Sequence, residues 1–396
     1  MTTTAQTLHY ARELFSLYES YRLQAIATSR FTQQDMLGWL QQFDGTGIYT
    51  RTQAGVSGEG RPISLYTLGN GTVKVLLWSQ MHGDEPTATM ALMDIFRFFA
   101  NHPEHALVQA IRTHLTMLVI PMLNPDGAER FTRRTAHAID MNRDALALAT
   151  PEARILKQAR DTYQPEYGFN LHDQDTRLTV GTTKKITAVA LLAPAMDESR
   201  RDTAVRTRAK KVASTIADIL QLFIPGHLAK WDDTFEPRAF GDNVQKWGTS
   251  TVLIESGGWK NDPDKFFIRK LNFVALLSSL YAIASKETEQ ANIDVYEQLP
   301  FNTKYGCDVI IRRGSWKRNE RTNVCTIDVA INIDKKLNAG TRQWEDVATI
   351  VDIGDLSTWT ALQREIDADG KTLDPDLVTL DRTFPAGEIT RLLREP

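Results

Sequence analysis

The chain has 396 residues, 42% of them hydrophobic and 24% charged, the composition of an ordinary globular protein able to bury a large core in one large and one small domain. Its formal net charge of -3 lacks the concentrated basic excess of a nucleic-acid binder, and no stretch reaches the roughly 20 uninterrupted apolar residues of a membrane span. The N-terminus shows no basic region followed by an apolar one, and Cys307 and Cys325 are too few for a disulfide framework or a cysteine zinc site. A cytoplasmic protein without nucleic-acid or membrane partners is expected, and any metal must be held by histidine and carboxylate.

Residues 1–44 predict a helical extension packed on the main domain. Leu14, Leu17, Tyr18 and Tyr21 follow the helical i, i+3, i+4, i+7 pattern, and Thr32 with Asp35 has capping-box spacing. Over 45–286, apolar strands alternate with amphipathic helices. VKVLLW (73–78) precedes a helix over 86–99, and LTMLVIPML (115–123) precedes a loop with Asn124-Pro125-Asp126-Gly127. A helix with Ala153, Leu156 and Ala159 leads to the strand FNL, the run AVALLAP is followed by a helix over 202–222, and STVLIE ends at Ser-Gly-Gly before a helix over 264–286. Continuous apolar strands between helices predict an α/β fold with a sheet covered on both faces. The polar stretch over 286–300 reads as a linker, and 300–396, with short runs such as CDVIIRR and CTIDVAINI, as a small β-rich domain of unassigned role.

Four polar motifs end apolar strands: Met-His82-Gly-Asp-Glu85, Asn124-Pro-Asp-Gly127, Asn-Leu-His172-Asp and Glu255-Ser-Gly-Gly. That edge is where open α/β sheets bind ligands, so the four can converge on one crevice. Pro86 biases Glu85 away from helical dihedrals and places the His82–Glu85 pair on a tight loop. Imidazole and carboxylate suit zinc, and catalytic zinc sites take three protein ligands and leave one position open. Of the eight histidines, only His172 ends a strand. Singly, each of these residues is better read as structural; together they point to a metal site, with Glu255 as the base for an attacking water. Arg133, Arg134, Asp140, Asn142 and Arg143 offer donors for a substrate's acidic end or its carbonyl. Structural ion pairs are the competing reading, retained for Arg134.

In this order, H-x-x-E (His82, Glu85), N-P-D-G (Asn124 to Gly127), Arg133 with D-x-N-R (Asp140, Asn142, Arg143), His172 and Glu255 resemble the zinc carboxypeptidases, the peptidase M14 family of pancreatic carboxypeptidase A, over about residues 45–285. Asp144, unlike the animal digestive members, suggests a bacterial-type branch. The resemblance implies an α/β/α sandwich around a mixed, mostly parallel sheet, one zinc ion per chain, and hydrolysis of a peptide or modified peptide near its C-terminal carboxylate. It also implies that His82, Glu85 and His172 are ligands and that Asp140 orients His82. Arg133 would stabilise the oxyanion, Asn142 and Arg143 would bind the terminal carboxylate, and Glu255 would be base and then proton donor.

The family's mobile tyrosine has no counterpart, because residues 168–280 contain no tyrosine; Phe235, Phe240 and Trp247 are the candidates for its space. The stretch 233–246 is expected to line the specificity pocket. Two alternatives stand beside the peptidase: a zinc deacylase of N-acyl amino acids, resembling aspartoacylase and succinylglutamate desuccinylase, and a non-catalytic binding protein on the same fold.

Overall fold

A computed structural model describes residues 3–337 and 343–393. The chain divides into two compact units, the first drawn from Met1–Gln174, Ala188–Gly257 and Asp262–Asn302, the second from Asp175–Thr187, Gly258–Asn261 and Thr303–Pro396.

In the first unit the apolar runs become strands β1 (Thr50–Val56), β2 (Pro62–Leu68), β3 (Val73–Ser79), β4 (Leu115–Ile120) and β5 (Tyr167–Asp173). After β6 (Thr179–Val180), which belongs to the second unit, come β7 (Val189–Leu192), β8 (Leu228–Lys230) and β9 (Ser250–Ser256). They form one eight-stranded mixed sheet in the order β1-β2-β4-β3-β5-β9-β7-β8. The central pairings β4-β3-β5-β9 are parallel, while β2-β4 and β9-β7 are antiparallel. Every residue of β9 is buried, as expected of a strand covered on both faces.

The remaining elements of this unit are α1 (Ala5–Ser16), α2 (Tyr18–Tyr21), α3 (Gln33–Gln41), α4 (Thr87–Asn101), α5 (Ala106–His114), α6 (Pro125–Arg130), α7 (Pro151–Tyr163), α8 (Ala204–Gln221), α9 (Phe240–Lys246), α10 (Phe266–Ala284) and α11 (Asp294–Glu297). On one sheet face, Leu156 of α7 and Phe240 and Val244 of α9 share a core with Leu76, Trp78, Leu118 and Ile120. On the opposite face Thr89 of α4 donates to Ser79 Oγ at 3.0 Å, and α4 and α8 pack on α10. By length and composition α10 could cross a membrane, but it is mostly buried inside this unit.

Thr32 and Asp35 form the predicted capping box of α3. The N-terminal segment is tied down by charge: Asp94 of α4 accepts from Tyr18 Oη (2.8 Å), Leu23 N (2.7 Å) and Arg269 Nε and Nη2 (2.8 and 2.6 Å), with both charged side chains fully buried.

Two sequence expectations change. Asn124-Pro-Asp-Gly is the start of α6 rather than a loop; Asn124 caps it and Pro125 takes the first turn, where its missing N–H costs nothing. Residues 287–299 are packed rather than an open linker: Tyr296 of α11 is buried, and its hydroxyl accepts from Ala193 N at 3.1 Å.

The chain passes to the second unit through β10 (Asn302–Thr303). There β11 (Gly306–Trp316), β12 (Cys325–Leu337), β13 (Trp344–Gly354), β14 (Thr360–Asp367) and β15 (Thr383–Pro385) form a sheet in the order β14-β11-β12-β13-β15. Val309, Ile311, Val329 and Ile331 pack in one cluster and Ile310 and Ala330 in another, as period-2 alternation dictates, while a register shift between Cys307 and Val309 turns Cys307 to the side of Ile310. Arg177 joins this unit although it lies within 45–286, pairing with Asp308 (2.8 Å) and Asp334 (2.7 Å).

Candidate metal centre

The loop after β3 is bent at Gln80, which has φ 46°, and is closed by Glu85 N donating to His82 O at 3.2 Å. Gly83 lies backbone-to-backbone on α6: a Cβ there would fall 2.0 Å from Gly127 C and 2.2 Å from Ala128 N. Asn124 braces the same region, accepting from Gly127 N (2.9 Å) and donating to Met81 O (3.3 Å). Asp126 is buried and engaged by Ser57 Oγ, Glu59 N and Arg61 Nη1 at 2.7, 2.9 and 2.6 Å. The Asn-Pro-Asp-Gly motif thus shapes the metal loop and contributes no ligand to the His82–Glu85–His172 group.

His82, Glu85 and His172 do converge. The two carboxylate oxygens of Glu85 face Nδ1 of His82 and Nδ1 of His172, each at 2.7 Å, and Asp173 N donates to Glu85 Oε2 at 3.2 Å. One ligand atom from each residue lies within 4.8 Å of the others, and all three residues are buried. Glu255 is the register partner of His172 on the neighbouring parallel strand; its Oε2 is buried and has no hydrogen-bond partner among the described residues.

The electrostatics follow from this crowding. Burial penalises charge on Glu85, but the two imidazoles outweigh it and hold the carboxyl well below the usual carboxylate range. Burial also opposes protonation of His82, yet Glu85 and Asp140 together raise it to about 9. His172 shares only Glu85, so there burial prevails and its pKa falls. Burial, then the negative charges of Glu85 and Asp173, push Glu255 up to about 8, the direction expected of a carboxyl forced beside like charges.

Asp140 caps a 3-10 turn over Met141–Arg143, accepting from Asn142 N at 2.9 Å, and the same Oδ1 lies 3.1 Å from His82 Nε2. Arg133 reaches over the cluster, donating from Nε to Asp140 Oδ2 (3.0 Å) and from Nη1 to Glu85 Oε1 (3.1 Å), with Nη1 also 3.0 Å from His82 Nδ1. Asn142 Oδ1 accepts from Phe240 N at 2.9 Å, and Arg143 donates to Asn142 O at 2.8 Å. Arg134 instead donates to Ala138 O, a local structural contact. Asp144 is buried and accepts from Ala149 N and Thr150 N, bracing the start of α7. Phe240 is fully buried in the α9 core, which is no place for a mobile lid; Phe235 is half-buried with Lys246 Nζ 5.9 Å from its ring.

Sequence reasoning passed over Thr87 and Lys265, which bond Asp173 Oδ2 at 2.5 and 3.1 Å, and did not single out Glu236, 3.3 Å from Arg143 Nε, within the stretch 233–246 expected to line the specificity pocket. Thr87 could have been found as the first residue of the helix after the ligand loop; the other two carry no local signature.

The donor set fits a zinc ion. Two imidazole nitrogens and a carboxylate converge in a buried place, as a three-ligand catalytic site requires, and Asp140 on the far nitrogen of His82 is the partner that fixes a ligand's tautomer.

Residues 36–193 match the family model described as Zinc carboxypeptidase. Over 151 residues the chain is 28% identical to "Carboxypeptidase 2" of Trichophyton tonsurans and to "Probable carboxypeptidase 2" of Arthroderma benhamiae, an alignment covering 36% of this chain and 28% of each of those relatives. Among solved structures, a metallo-carboxypeptidase from Burkholderia cenocepacia matches with a TM-score of 0.53 at 15% identity, over 65% of this chain and 70% of that one. The carboxypeptidase A from Helicoverpa armigera matches with a TM-score of 0.50 at 13% identity, over 71% and 80%. The fold is therefore that of the metallocarboxypeptidases.

Proposed function

On a chain that carries a peptidase M14 zinc carboxypeptidase domain, we propose that the site hydrolyses the peptide bond next to a substrate's C-terminal carboxylate. The observation that carries this reading is the buried convergence of His82, Glu85 and His172 with an unpartnered Glu255 one strand away. Zinc held by those three residues would supply a Lewis acid that acidifies water and polarises the scissile carbonyl.

Glu255 takes the proton from the attacking water and later returns it to the leaving amine, so that water and amide become acid and amine. Arg133 donates hydrogen bonds to the carbonyl oxygen as charge develops there. Arg143 and Asn142 fix the terminal carboxylate, which sets the bond to be cut.

Metal analysis combined with a peptide-library digest read by mass spectrometry tests the reading. About one zinc per chain, lost in His172→Ala, and stepwise release of C-terminal residues are expected. Internal cleavage, or turnover of N-acyl amino acids alone, would replace it with an endopeptidase or a deacylase.

A further inference from the structure

Arg143, to which the proposed reaction gives the substrate's terminal carboxylate, already faces an acid of its own chain. Its Nε lies 3.3 Å from Glu236 Oε2, with both side chains about one-third exposed. The approach is built by two backbone N–H donors: Phe240 N donates to the Asn142 side chain at Oδ1 (2.9 Å), and Ala145 N to Arg238 O (3.1 Å), so residues 142–145 and 236–240 are held side by side. Glu236 is itself fixed. Its carboxylate accepts from Arg238 N and Nε, each at 3.1 Å, and from Arg238 Nη2 at 3.2 Å, while Glu236 N donates to Asp242 Oδ1 at 3.2 Å.

We propose that Glu236 is a specificity-determining residue that competes with the substrate's carboxylate for Arg143, with Arg238 as the counter-ion that draws Glu236 away. The inference rests on the assignment of Arg143 to that carboxylate. One guanidinium neutralises one carboxylate, and a second brought beside it meets like charge. A free acid end therefore binds only as Glu236 gives up Arg143 and stays on Arg238 alone, and chain ends lacking that charge escape this penalty. The result is a site that separates acidic from neutral chain ends less sharply than an unopposed arginine would.

The test uses matched peptides with free and amidated C-termini, and kcat and KM for the wild type, Glu236→Gln, Arg238→Ala and Arg143→Ala. Glu236→Gln keeps an oxygen for Arg238 N and is expected to lower KM for the free acid, relative to the amide, by roughly 3- to 30-fold, the scale of a partly exposed charge pair. Arg238→Ala leaves Glu236 to Arg143 alone and is expected to move the same ratio the opposite way. Arg143→Ala is expected to abolish the preference for the free acid.

If Arg143→Ala abolishes that preference while Glu236→Gln and Arg238→Ala leave the ratio in place, or shift it in the same direction, the role of Glu236 is overturned and the carboxylate assignment stands. If Arg143→Ala keeps the preference, both fall. Equal losses on the two peptides in the Glu236 and Arg238 variants would show a purely structural loop and would also overturn the proposal.

Discussion

Asp140→Asn tests how much one carboxylate contributes to the centre. Its Oδ1 lies 3.1 Å from His82 Nε2 and accepts from Asn142 N, while its Oδ2 accepts from Arg133 Nε at 3.0 Å. Asparagine keeps the shape but replaces one acceptor by a donor. If the new amide NH2 faces His82, Nε2 must accept, and the ring proton moves to Nδ1, the nitrogen turned towards Glu85 and His172. If it faces Arg133, two donors meet and the guanidinium is released. The first arrangement weakens metal binding and the second weakens catalysis. Loss of such a ligand-orienting partner typically costs 10- to 100-fold in metal affinity, about 1.4 to 2.8 kcal/mol. Competition for zinc against a chromophoric chelator reads the affinity directly, and turnover at saturating zinc reads the contribution through Arg133. An affinity and a turnover both unchanged within about two-fold, against that 10- to 100-fold expectation, would refute the idea that Asp140 sets the His82 tautomer and anchors Arg133.

Other outcomes follow from the same geometry. Glu255→Gln should retain zinc while turnover drops by roughly 10²- to 10⁴-fold, the usual span for a lost general acid-base group; steady-state kinetics on the zinc-loaded variant checks this. Because the metal-free centre raises His82 to about 9, zinc uptake near pH 7 should expel about one proton from that ring, a release that fades as pH rises through 9, measurable by calorimetry in buffers of differing ionisation enthalpy. The same raised pKa contributes stability to the metal-free protein below about pH 6.5 that is lost as pH rises through 9. Asp94→Ala would strand the buried Arg269 guanidinium together with Tyr18 Oη and Leu23 N, a loss of about 3 to 5 kcal/mol in urea unfolding. The double variant Asp94→Leu with Arg269→Met should lose markedly less.

The candidate metal site was legible because β3, β5 and β9 are continuous apolar runs that stop at or just before a histidine or glutamate, and period and punctuation are local properties. The α3 capping box was legible for the same reason. What escaped was long-range. Lys265 meets Asp173 because the parallel strands β5 and β9 end together, and Glu236 meets Arg143 because hydrogen bonds join residues 142–145 to 236–240. Arg177 lies inside the carboxypeptidase-like stretch, yet its charge partners Asp308 and Asp334 lie more than a hundred residues on, so no window of sequence reveals its allegiance. Asn124-Pro-Asp-Gly was misread by composition: the residues that make turns also start helices, and Asn before Pro serves both. The stretch over 287–299 looked like a linker because its apolar residues are scattered among polar ones, yet Ala291, Tyr296 and Leu299 are buried.

The contact between Gly83 and Gly127 binds two distant stretches of the coding sequence into one heritable unit. A side chain at Gly83 would meet main chain on α6, and no second substitution can relieve it, since the partner surface is already backbone. Reversion is the only local repair, so descendants of this chain should keep glycine at 83 whatever side chains change on α6. A chimaera joined anywhere between them inherits the same constraint: each parent must bring its own glycine, or the His82–Glu85 turn and the first turn of α6 will not close on each other.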